Sequence, residues 1–518
     1  MILTNNMRKR WIAFAIIIAF AVAMVPLWTV DSHAKAEDVD MAKVEEQFNE
    51  YLAKISKNGE QDDIYDKWFT TGTIEPLDYE GLTAENGTLT FGCRDNKPFA
   101  YMDQGQYGGY TVDMVYRFCK EYGYGMKLKS FSDNNSLVMG VVNGKIDFGG
   151  ASISITEGRE KIVDFSDPYF DNLSILIVRG EDVDKYKDES DFAGKRIGIV
   201  TGTAFQYIVP NCIDNPELFQ YNDETAMLLA LESGKIDAAA DDSAIFEFEH
   251  LTFTSLEMGI SIDQGDQYGI VFPKTEEKAG FFAGIKNSFE RTFIQDARWK
   301  LFISGILVTM LITLLSIILG TALGFVAYLA ERKGNRVALA INRFLSWLIS
   351  GMPVVVLLMI MYYIVFGSMD ISGTIVSIIA FTLVFAAAVL SVLKNAIGTV
   401  DIGQYEAAYT LGYSDIQTFF SIILPQAMSA FFTPYKAEIV SLIKATAVVG
   451  YIAVQDLTKI GDIVRSTTYE AFFPLIATAV LYFVLAAVLT HIVKRIEIKT
   501  NPESKDKTKI LKGVEEHD

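Results

Sequence analysis

The sequence predicts an α/β domain of two lobes, followed by an all-α membrane domain of five transmembrane helices. Residues 40–300 are polar and acidic, whereas residues 301–495 are mostly apolar with few charges. Between residues 86 and 280, short β-rich segments alternate with helical ones, which is typical of α/β domains with mostly parallel sheets. Two Gly-Lys-Ile-Asp repeats, at 144–147 and 234–237, indicate two lobes of similar build.

Composition excludes several classes of protein. The formal net charge of -19 argues against a nucleic-acid partner. Three cysteines (Cys93, Cys119 and Cys212) and four scattered histidines follow no metal-ligand spacing, so neither a metal nor another cofactor is predicted. The sequence contains no G-x-x-x-x-G-K-[ST] phosphate-binding motif. The chain is therefore not expected to be an enzyme.

The first 36 residues predict a signal peptide or an N-terminal anchor. A basic stretch at residues 8–10 precedes an apolar segment from residue 11 to about residue 30, and small-x-small patterns come after it at 32–36. Basic residues before an apolar segment stay in the cytoplasm, so the residues after the apolar segment are expected outside the cytoplasm.

Residues 37–85 predict a helical segment with Phe48, Tyr51, Leu52 and Ile55 on one face. The segment resembles the closing helices of a bacterial solute-binding protein, although here it precedes such a domain. It could be the remnant of an earlier tandem copy, it could pack on the adjoining α/β domain, or it could be a helical spacer above the membrane.

Residues 86–280 resemble the two-lobed amino-acid-binding proteins of bacterial importers, which have the type II periplasmic-binding-protein-like fold. The segments that carry the resemblance are GGYTVDMVYRFCKEYGY, NGKIDFGGASISITEGREKIVDFSDPYF, FAGKRIGIVTGT and LESGKIDAAADD. The stretch ITEGRE…DFSDPY is the most specific of them. The resemblance implies that one free amino acid is bound between the lobes.

In that family an arginine binds the α-carboxylate of the ligand, and the matching position here is Arg159. The resemblance also implies that Ser152 and Ser154 line the ligand from the same lobe. Gly202 and Thr203 match a loop that donates to the carboxylate at a helix N-terminus. A guanidinium is suited to a buried carboxylate because it offers paired donors.

Asp242 matches the carboxylate that binds the α-amino group, although the adjacent Asp241 could be the inward-facing one. The family usually sandwiches the ligand side chain between aromatic rings, but the nearest positions here are Asn96 and Asn134. Phe99 or Tyr101 could act as a platform instead. These departures favour a polar side chain on the ligand and leave its identity open.

An amphipathic connector at 281–300 leads into the predicted membrane domain at 301–495. Its five predicted spans are residues 301–329, 347–366, 375–393, 434–454 and 472–493. Basic residues come after the first and last spans, which places the loop at 404–426 and the charged tail at 496–518 in the cytoplasm.

The loop QYEAAYTLGYSDIQTFFSIILPQ at 404–426 resembles the EAA loop of ABC-importer permeases of the histidine and glutamine type. The matching residues are Glu406, Ala407, Ala408, Gly412 and Pro425. In that family the loop docks on an ABC ATPase subunit. The resemblance implies a permease homodimer with two such ATPases.

The sequence therefore predicts the binding and permease subunit of an ATP-driven amino-acid importer. Its expected location is the bacterial cytoplasmic membrane, in contact with lipid, with the binding domain outside the cytoplasm. One alternative is a ligand-gated ion channel of the glutamate-receptor type, which would require a re-entrant pore loop and would leave the EAA loop unexplained. Another is a receptor without transport, which would leave the spans unexplained.

Overall fold

The computed structural model describes residues 39–70, 77, 81–103, 106–263, 266–274, 281–470 and 472–500. The predicted signal peptide or anchor and residues 501–518 of the predicted tail lie outside the described residues.

The α/β part begins with two helices and continues with alternating strands and helices. The helices are α1 (Met41–Asn58), α2 (Glu60–Tyr65), α3 (Tyr110–Glu121), α4 (Asn134–Val142), α5 (Glu157–Glu160), α6 (Phe205–Cys212), α7 (Glu224–Glu232) and α8 (Ser243–Glu249). The strands are β1 (Thr88–Arg94), β2 (Tyr101–Asp103), β3 (Gln106–Gly108), β4 (Gly125–Phe131), β5 (Phe148–Gly150), β6 (Val163–Phe165), β7 (Phe170–Asp171), β8 (Ser174–Arg179), β9 (Arg196–Val200), β10 (Glu217–Tyr221), β11 (Ala238–Asp242), β12 (Leu256–Asp263), β13 (Gln267–Tyr268) and β14 (Val271–Pro273).

Two five-stranded sheets form the two lobes. Lobe 1 has the strand order β4-β1-β5-β14-β6, and lobe 2 has the order β10-β9-β11-β8-β12. In each sheet the first three strands in this order pair in parallel, and the remaining two strands are joined by antiparallel pairing. The chain crosses between the lobes twice, and the antiparallel pair β7–β13 lies at the crossings. This arrangement confirms the predicted two-lobed α/β fold.

The two Gly-Lys-Ile-Asp repeats occupy equivalent places in the two lobes. A Cβ atom on Gly92 of β1 would lie 2.3 Å from Cδ1 of Ile146, and a Cβ on Gly198 of β9 would lie 2.5 Å from Cδ1 of Ile236. Each isoleucine is buried against a strand that has space for it only because the strand carries glycine there.

Helix α1 packs against lobe 1. The Phe48 ring is fully buried and lies 5.1 Å from the Phe118 ring and 6.1 Å from the Phe272 ring, between centroids. Further along this segment, Trp68 donates a hydrogen bond of 2.9 Å to the carboxylate of Asp113 on α3. The N-terminal helical segment is therefore part of the hydrophobic core of lobe 1.

The membrane part is entirely helical among its described residues. The helices are α9 (Phe281–Phe289), α10 (Trp299–Arg332), α11 (Arg336–Ser350), α12 (Val354–Met359), α13 (Gly373–Gly398), α14 (Gly403–Thr410), α15 (Asp415–Thr418), α16 (Leu424–Ala445), α17 (Leu457–Thr468) and α18 (Phe472–Thr500). Four continuous stretches are long and apolar enough to cross a membrane: 299–332, 373–398, 415–452 and 472–499.

The second predicted span, 347–366, is not one straight helix. Helix α11 and the stretch Val354–Val365 are bent by 112° relative to each other. The bend falls at Gly351-Met352-Pro353, where the proline disfavours a helical conformation of the residue before it. The count of five spans therefore requires the bent pair to be counted as one.

The two best-packed long helices, α10 and α13, run from the α/β part to the predicted coupling loop. Near the start of α10, a Cβ on Gly305 would lie 2.9 Å from the Cα of Leu457, whereas Arg332 at its end forms an ion pair of 2.5 Å with Asp415. At ~1.5 Å per residue, these two points are about 40 Å apart. The loop therefore lies at the opposite end of the membrane part from the two lobes.

Candidate ligand cleft and coupling loop

The predicted carboxylate-binding arginine lies in the cleft between the lobes. Arg159 is only 1% exposed. Its three nitrogens donate to three different parts of the chain: Nη1 to the Ser154 carbonyl (2.7 Å), Nη2 to the Gly202 carbonyl of lobe 2 (3.1 Å) and Nε to the Tyr469 hydroxyl (3.2 Å). The local position of Arg159 is set by Thr156, which caps α5 through its side chain.

The loops of lobe 1 that lead to Arg159 bring other predicted residues together. Asn96 and Ser152 are both buried, and the Asn96 amide donates to the Ser152 hydroxyl at 2.6 Å. Phe99 is fully buried, and its ring centroid lies 4.9 Å from that of Phe170 and 5.2 Å from that of Tyr268. Phe99 thus contributes to an aromatic cluster beside the interlobe crossings.

The predicted ammonium-binding carboxylate lies in a buried acidic cluster at the crossings. The Asn172 amide nitrogen donates to Asp242 (2.5 Å) and to Asp266 (3.1 Å). The hydroxyl of Ser154 donates to the same Asp266 oxygen at 3.1 Å. Ser154 therefore links the two ends of the cleft, because its carbonyl contacts Arg159 and its hydroxyl contacts this cluster.

Burial and then the charge of Asp266 raise the pKa of Asp242 to about 7. Asp241, which the sequence left as an alternative, accepts a hydrogen bond from the backbone N–H of Asp242. Burial and then the charge of Glu249 raise the pKa of Asp241 well above the usual range. Of the two aspartates, Asp242 is the one that contacts Asn172.

The predicted loop of lobe 2 comes very close to lobe 1. Gly202 has a φ of +86°, and a Cβ there would lie 2.1 Å from the Asn135 amide nitrogen. The Thr203 hydroxyl donates to the Val200 carbonyl of its own loop at 2.8 Å. Glycine is needed at 202 both for the backbone conformation and for this close approach.

An ion pair also joins the two lobes. Arg94 at the end of β1 contacts Glu224 at the start of α7 at 2.8 Å, and both side chains are mostly buried. Together with the contact between Arg159 and Gly202, this pair holds the lobes against each other. The two lobes are therefore in direct contact in this structure.

Three residues of the cleft were not predicted from the sequence: Asn172, Asp266 and Tyr469. Asn172 and Asp266 lie at the two interlobe crossings, where short irregular strands give no periodic signal. Tyr469 lies between α17 and α18 of the membrane part, 310 positions from Arg159. Only the folded structure brings these residues together.

The predicted coupling loop forms a compact pair of short helices, α14 and α15. Glu406 and Ala407 are exposed, and Ala408 is buried at 1% exposure. Gly412 ends α14 with a φ of +83°, and Ser414 caps α15 in a reciprocal capping box with Gln417.

Pro425 is exposed and does not begin the apolar helix. Helix α15 continues without a break through Phe419–Ile423 into α16, so the continuous helical stretch that includes the span begins at residue 415, within the predicted coupling loop. Pro425 is the second residue of α16 and comes directly after the π-helical turn Phe419–Ile423, where the regular α-helical hydrogen-bond pattern is already interrupted.

Large apolar side chains of the loop point to solvent at its surface. Ile402, Leu411 and Ile416 are 75%, 76% and 65% exposed. Clusters of exposed apolar residues outside a membrane commonly mark contact sites for partner proteins.

Lobe 2 contacts the opposite end of the membrane part through polar groups. Lys235 of lobe 2 donates to the carbonyls of Phe366 and Met369, both at 2.6 Å. Lys459 of α17 donates to the Thr201 hydroxyl and the Asn222 side chain of lobe 2, both at 2.7 Å. Burial lowers the pKa of Lys459 to about 8.

A closable two-lobed cleft joined to membrane helices, with an EAA-type loop at the far end, defines a transporter subunit that carries its own binding domain. Two family models match the chain. Bacterial extracellular solute-binding proteins, family 3, matches residues 89–348, and the binding-protein-dependent transport system inner membrane component matches residues 320–500. The chain belongs to both families.

Curated relatives cover the membrane part. The putative glutamine transport system permease protein GlnP of Rickettsia typhi is 33% identical over 38% of this chain and 91% of its own length. The arginine transport system permease protein ArtQ of Bacillus subtilis is 31% identical over 38% of this chain and 91% of its own length.

Other relatives cover the lobes. A probable histidine-binding protein of Neisseria gonorrhoeae is 27% identical over 33% of this chain and 69% of its own length. Among solved structures, a Gly52Ala mutant of arginine-bound ArgBP from T. maritima is 28% identical over 36% of this chain and 89% of that chain, with a TM-score of 0.34.

These matches identify the molecule as an amino-acid ABC transporter permease fused to a solute-binding domain. It is a multi-pass membrane protein whose binding domain lies outside the cytoplasm. They do not favour the ion-channel alternative.

Proposed function

We propose that the cleft binds one free amino acid, with its α-carboxylate at Arg159 and its α-amino group at Asp242. The observation that carries this proposal is that Ser154 contacts both ends of the cleft. Its carbonyl contacts the buried guanidinium, and its hydroxyl contacts the acidic cluster that includes Asp242. A zwitterion matches a cleft with a cation at one end and carboxylates at the other, because a buried charge needs a partner of opposite sign.

Calorimetric titration of the full-length chain in detergent with each of the twenty amino acids tests this proposal. The expected result is tight binding of one or a few of them, weakened at least about 100-fold in Arg159→Ala, because a buried charge pair is lost. Lys161→Ala is the matched control, since its side chain is 67% exposed and two residues away. Equal binding by wild type and Arg159→Ala would contradict the proposal.

We further propose that the ligand side chain is rich in N–H donors, as in arginine, lysine or glutamine. The side-chain oxygen Oδ1 of Asn172 is buried and accepts no hydrogen bond from any residue that the structure describes. A second carboxylate, that of Asp266, lies within hydrogen-bond distance of the same asparagine. The names of the arginine and glutamine relatives agree with this class.

The exposed apolar side chains at 402, 411 and 416 support a protein contact at the coupling loop, on the side opposite the binding domain. We propose that an ABC ATPase subunit binds there, with Glu406, Ala407 and Gly412 in the contact region. Arg332 and Tyr409 both donate hydrogen bonds to Asp415, which connects the loop to the end of α10.

We propose that two copies of this chain form the translocation path. The described membrane part offers only four or five spans, and helix α10 leaves Leu307, Leu311 and Ile318 exposed along its length. Part of this surface faces lipid and part would face the second copy. Mass measurement of the chain in lipid nanodiscs tests the stoichiometry, with two copies expected and one copy contradicting it.

A further inference from the structure

A residue of the membrane part occupies a hydrogen-bonding position of the proposed carboxylate-binding arginine. The Nε–H of Arg159 donates to the Tyr469 hydroxyl at 3.2 Å. The two remaining nitrogens donate to the carbonyls of Ser154 and Gly202. Every nitrogen of this guanidinium therefore has a protein acceptor while the lobes rest on the membrane part.

The backbone at Tyr469 is in an unusual conformation. It comes directly after the last residue of α17 and has a φ of 53° and a ψ of 27°, in the left-handed region. Glycine or asparagine adopts this conformation with less strain at a helix C-terminus. A bulky aromatic residue held there points to a function for the side chain.

The Tyr469 side chain packs against the lobes rather than against the helices on either side of it in the chain. Its side chain is 8% exposed and belongs to an apolar cluster of lobe 1 that includes Leu137, Val138 and Ile153. Two residues earlier, the Thr467 hydroxyl lies 3.5 Å from the Gln206 side chain of lobe 2. The end of α17 and the residue after it thus contact both lobes.

We propose that Tyr469 is a release residue: when the binding domain docks, its hydroxyl engages Arg159 and weakens the hold of this arginine on the ligand carboxylate. The inference rests on the proposed ligand site. A guanidinium donor that is already paired with a hydroxyl must give up that bond before it can bind a carboxylate in the same direction. Docking and ligand binding would therefore oppose each other, and by linkage each would weaken the other by the same factor.

Equilibrium binding and dissociation of radiolabelled L-arginine and L-glutamine by the full-length chain in lipid nanodiscs test this proposal. Tyr469→Phe removes only the hydroxyl and keeps the ring in its apolar cluster. We expect about tenfold tighter binding, corresponding to about 1.4 kcal/mol, with a slower off-rate. Tyr451→Phe is the matched control, because that tyrosine is 43% exposed in the neighbouring segment, and it should bind as the wild type does.

Unchanged or weaker binding by Tyr469→Phe would overturn the proposal. Thermal unfolding of each variant checks the fold, and Tyr469→Leu, which also lacks the hydroxyl, should reproduce the tighter binding. Arg159→Ala separates the release role from the ligand site. If it binds as the wild type does, the ligand site itself is wrong; if it loses binding while Tyr469→Phe is unchanged, only the release role is wrong.

Discussion

Single residues of the cleft determine how it responds to pH and how closely the lobes approach. Asp242 is buried beside Asp266 and faces Arg94 across the cleft, and its pKa is raised to about 7. Gly202 is the point where lobe 2 comes closest to Asn135 of lobe 1. Each residue leads to a prediction about ligand affinity that a purely structural role would not give.

Ligand affinity is expected to fall as the pH falls through about 7. A protonated Asp242 cannot pair with an ammonium group, and at about pH 6 only about a tenth of it is ionised, so affinity should be about tenfold lower than at about pH 8. Asp242→Asn should bind weakly at both pH values. Titration of the full-length chain at several pH values measures this, and equal wild-type affinities would contradict it.

The free energy of unfolding of the ligand-free protein should instead increase as the pH falls through about 7. Because the pKa of Asp242 is higher in the folded than in the unfolded state, its contribution is largest below about pH 4 and is lost as the pH rises through about 7. Ligand binding above that pH should compensate by supplying the partner of opposite charge.

Gly202→Ala is expected to weaken ligand binding by about tenfold or more, because an added Cβ would collide with Asn135 and hold the lobes apart. Gly194→Ala is the matched control. Gly194 also has a positive φ, +67°, but nothing lies within 4 Å of a Cβ there. Equal affinity of the two variants would show that backbone strain, rather than the contact between lobes, is what matters.

The sequence identified one end of this cleft better than the other. The segment Ser154–Arg159 carries a distinct motif, and the structure buries its arginine between the lobes. Asp266 and Asn172 lie in short crossing segments whose residues carry no motif, and their role depends on which strands meet in space. The sequence offers Phe99 or Tyr101 as a platform for the ligand side chain, and the structure packs Phe99 in an aromatic cluster.

At the scale of elements, the coupling loop and helix α1 have separate proposed roles. The loop presents exposed apolar residues on a base fixed by Arg332 and Asp415. Helix α1 closes the core of lobe 1 through Phe48. Disruption of the coupling loop should abolish transport without changing ligand binding. Disruption of helix α1 should destabilise the binding domain.

Leu411→Asp is expected to leave amino-acid binding unchanged and to abolish ATP-driven uptake, because a buried charge at a protein contact is costly. Leu251→Asp of lobe 2 is the matched control, since Leu251 is 77% exposed and Leu411 is 76% exposed. Binding and vesicle uptake are measured on both variants. Normal uptake by Leu411→Asp would argue against an ATPase contact at this loop.

Phe48→Ala is expected to destabilise lobe 1 by about 3–5 kcal/mol, through lost burial and the cavity that remains. Hydrogen exchange of β1 and α3 in the full-length chain measures this loss. Lobe 2 and the membrane helices should keep their protection. Unchanged exchange in lobe 1 would mean that α1 is only loosely attached.

Element boundaries were predictable where one pattern dominates and not where patterns compete. The capping box at Ser414 and the break at Gly412 result directly from local sequence. The bend between α11 and α12 does not, because apolar residues continue across Gly351-Met352-Pro353 and conceal it. The predicted fourth span begins at residue 434, whereas the continuous helical stretch that includes it begins at residue 415.

At the scale of the whole molecule, the structure shows a binding domain seated on the membrane part through both lobes. Lys235 and Lys459 anchor lobe 2, and Tyr469 reaches Arg159 and the core of lobe 1. The composition predicts the division into two parts, and the basic residues predict which side each part occupies. No local pattern predicts the docking contacts, because each joins residues more than a hundred positions apart.

The most direct test of this transport mechanism is ATP-dependent uptake of radiolabelled amino acid into vesicles that contain this chain and its ABC ATPase. We predict uptake that needs ATP and is lost in both Arg159→Ala and Leu411→Asp, whereas ligand binding is lost only in Arg159→Ala. Uptake that persists in both variants, or amino-acid-triggered ion flux without ATP, would contradict it.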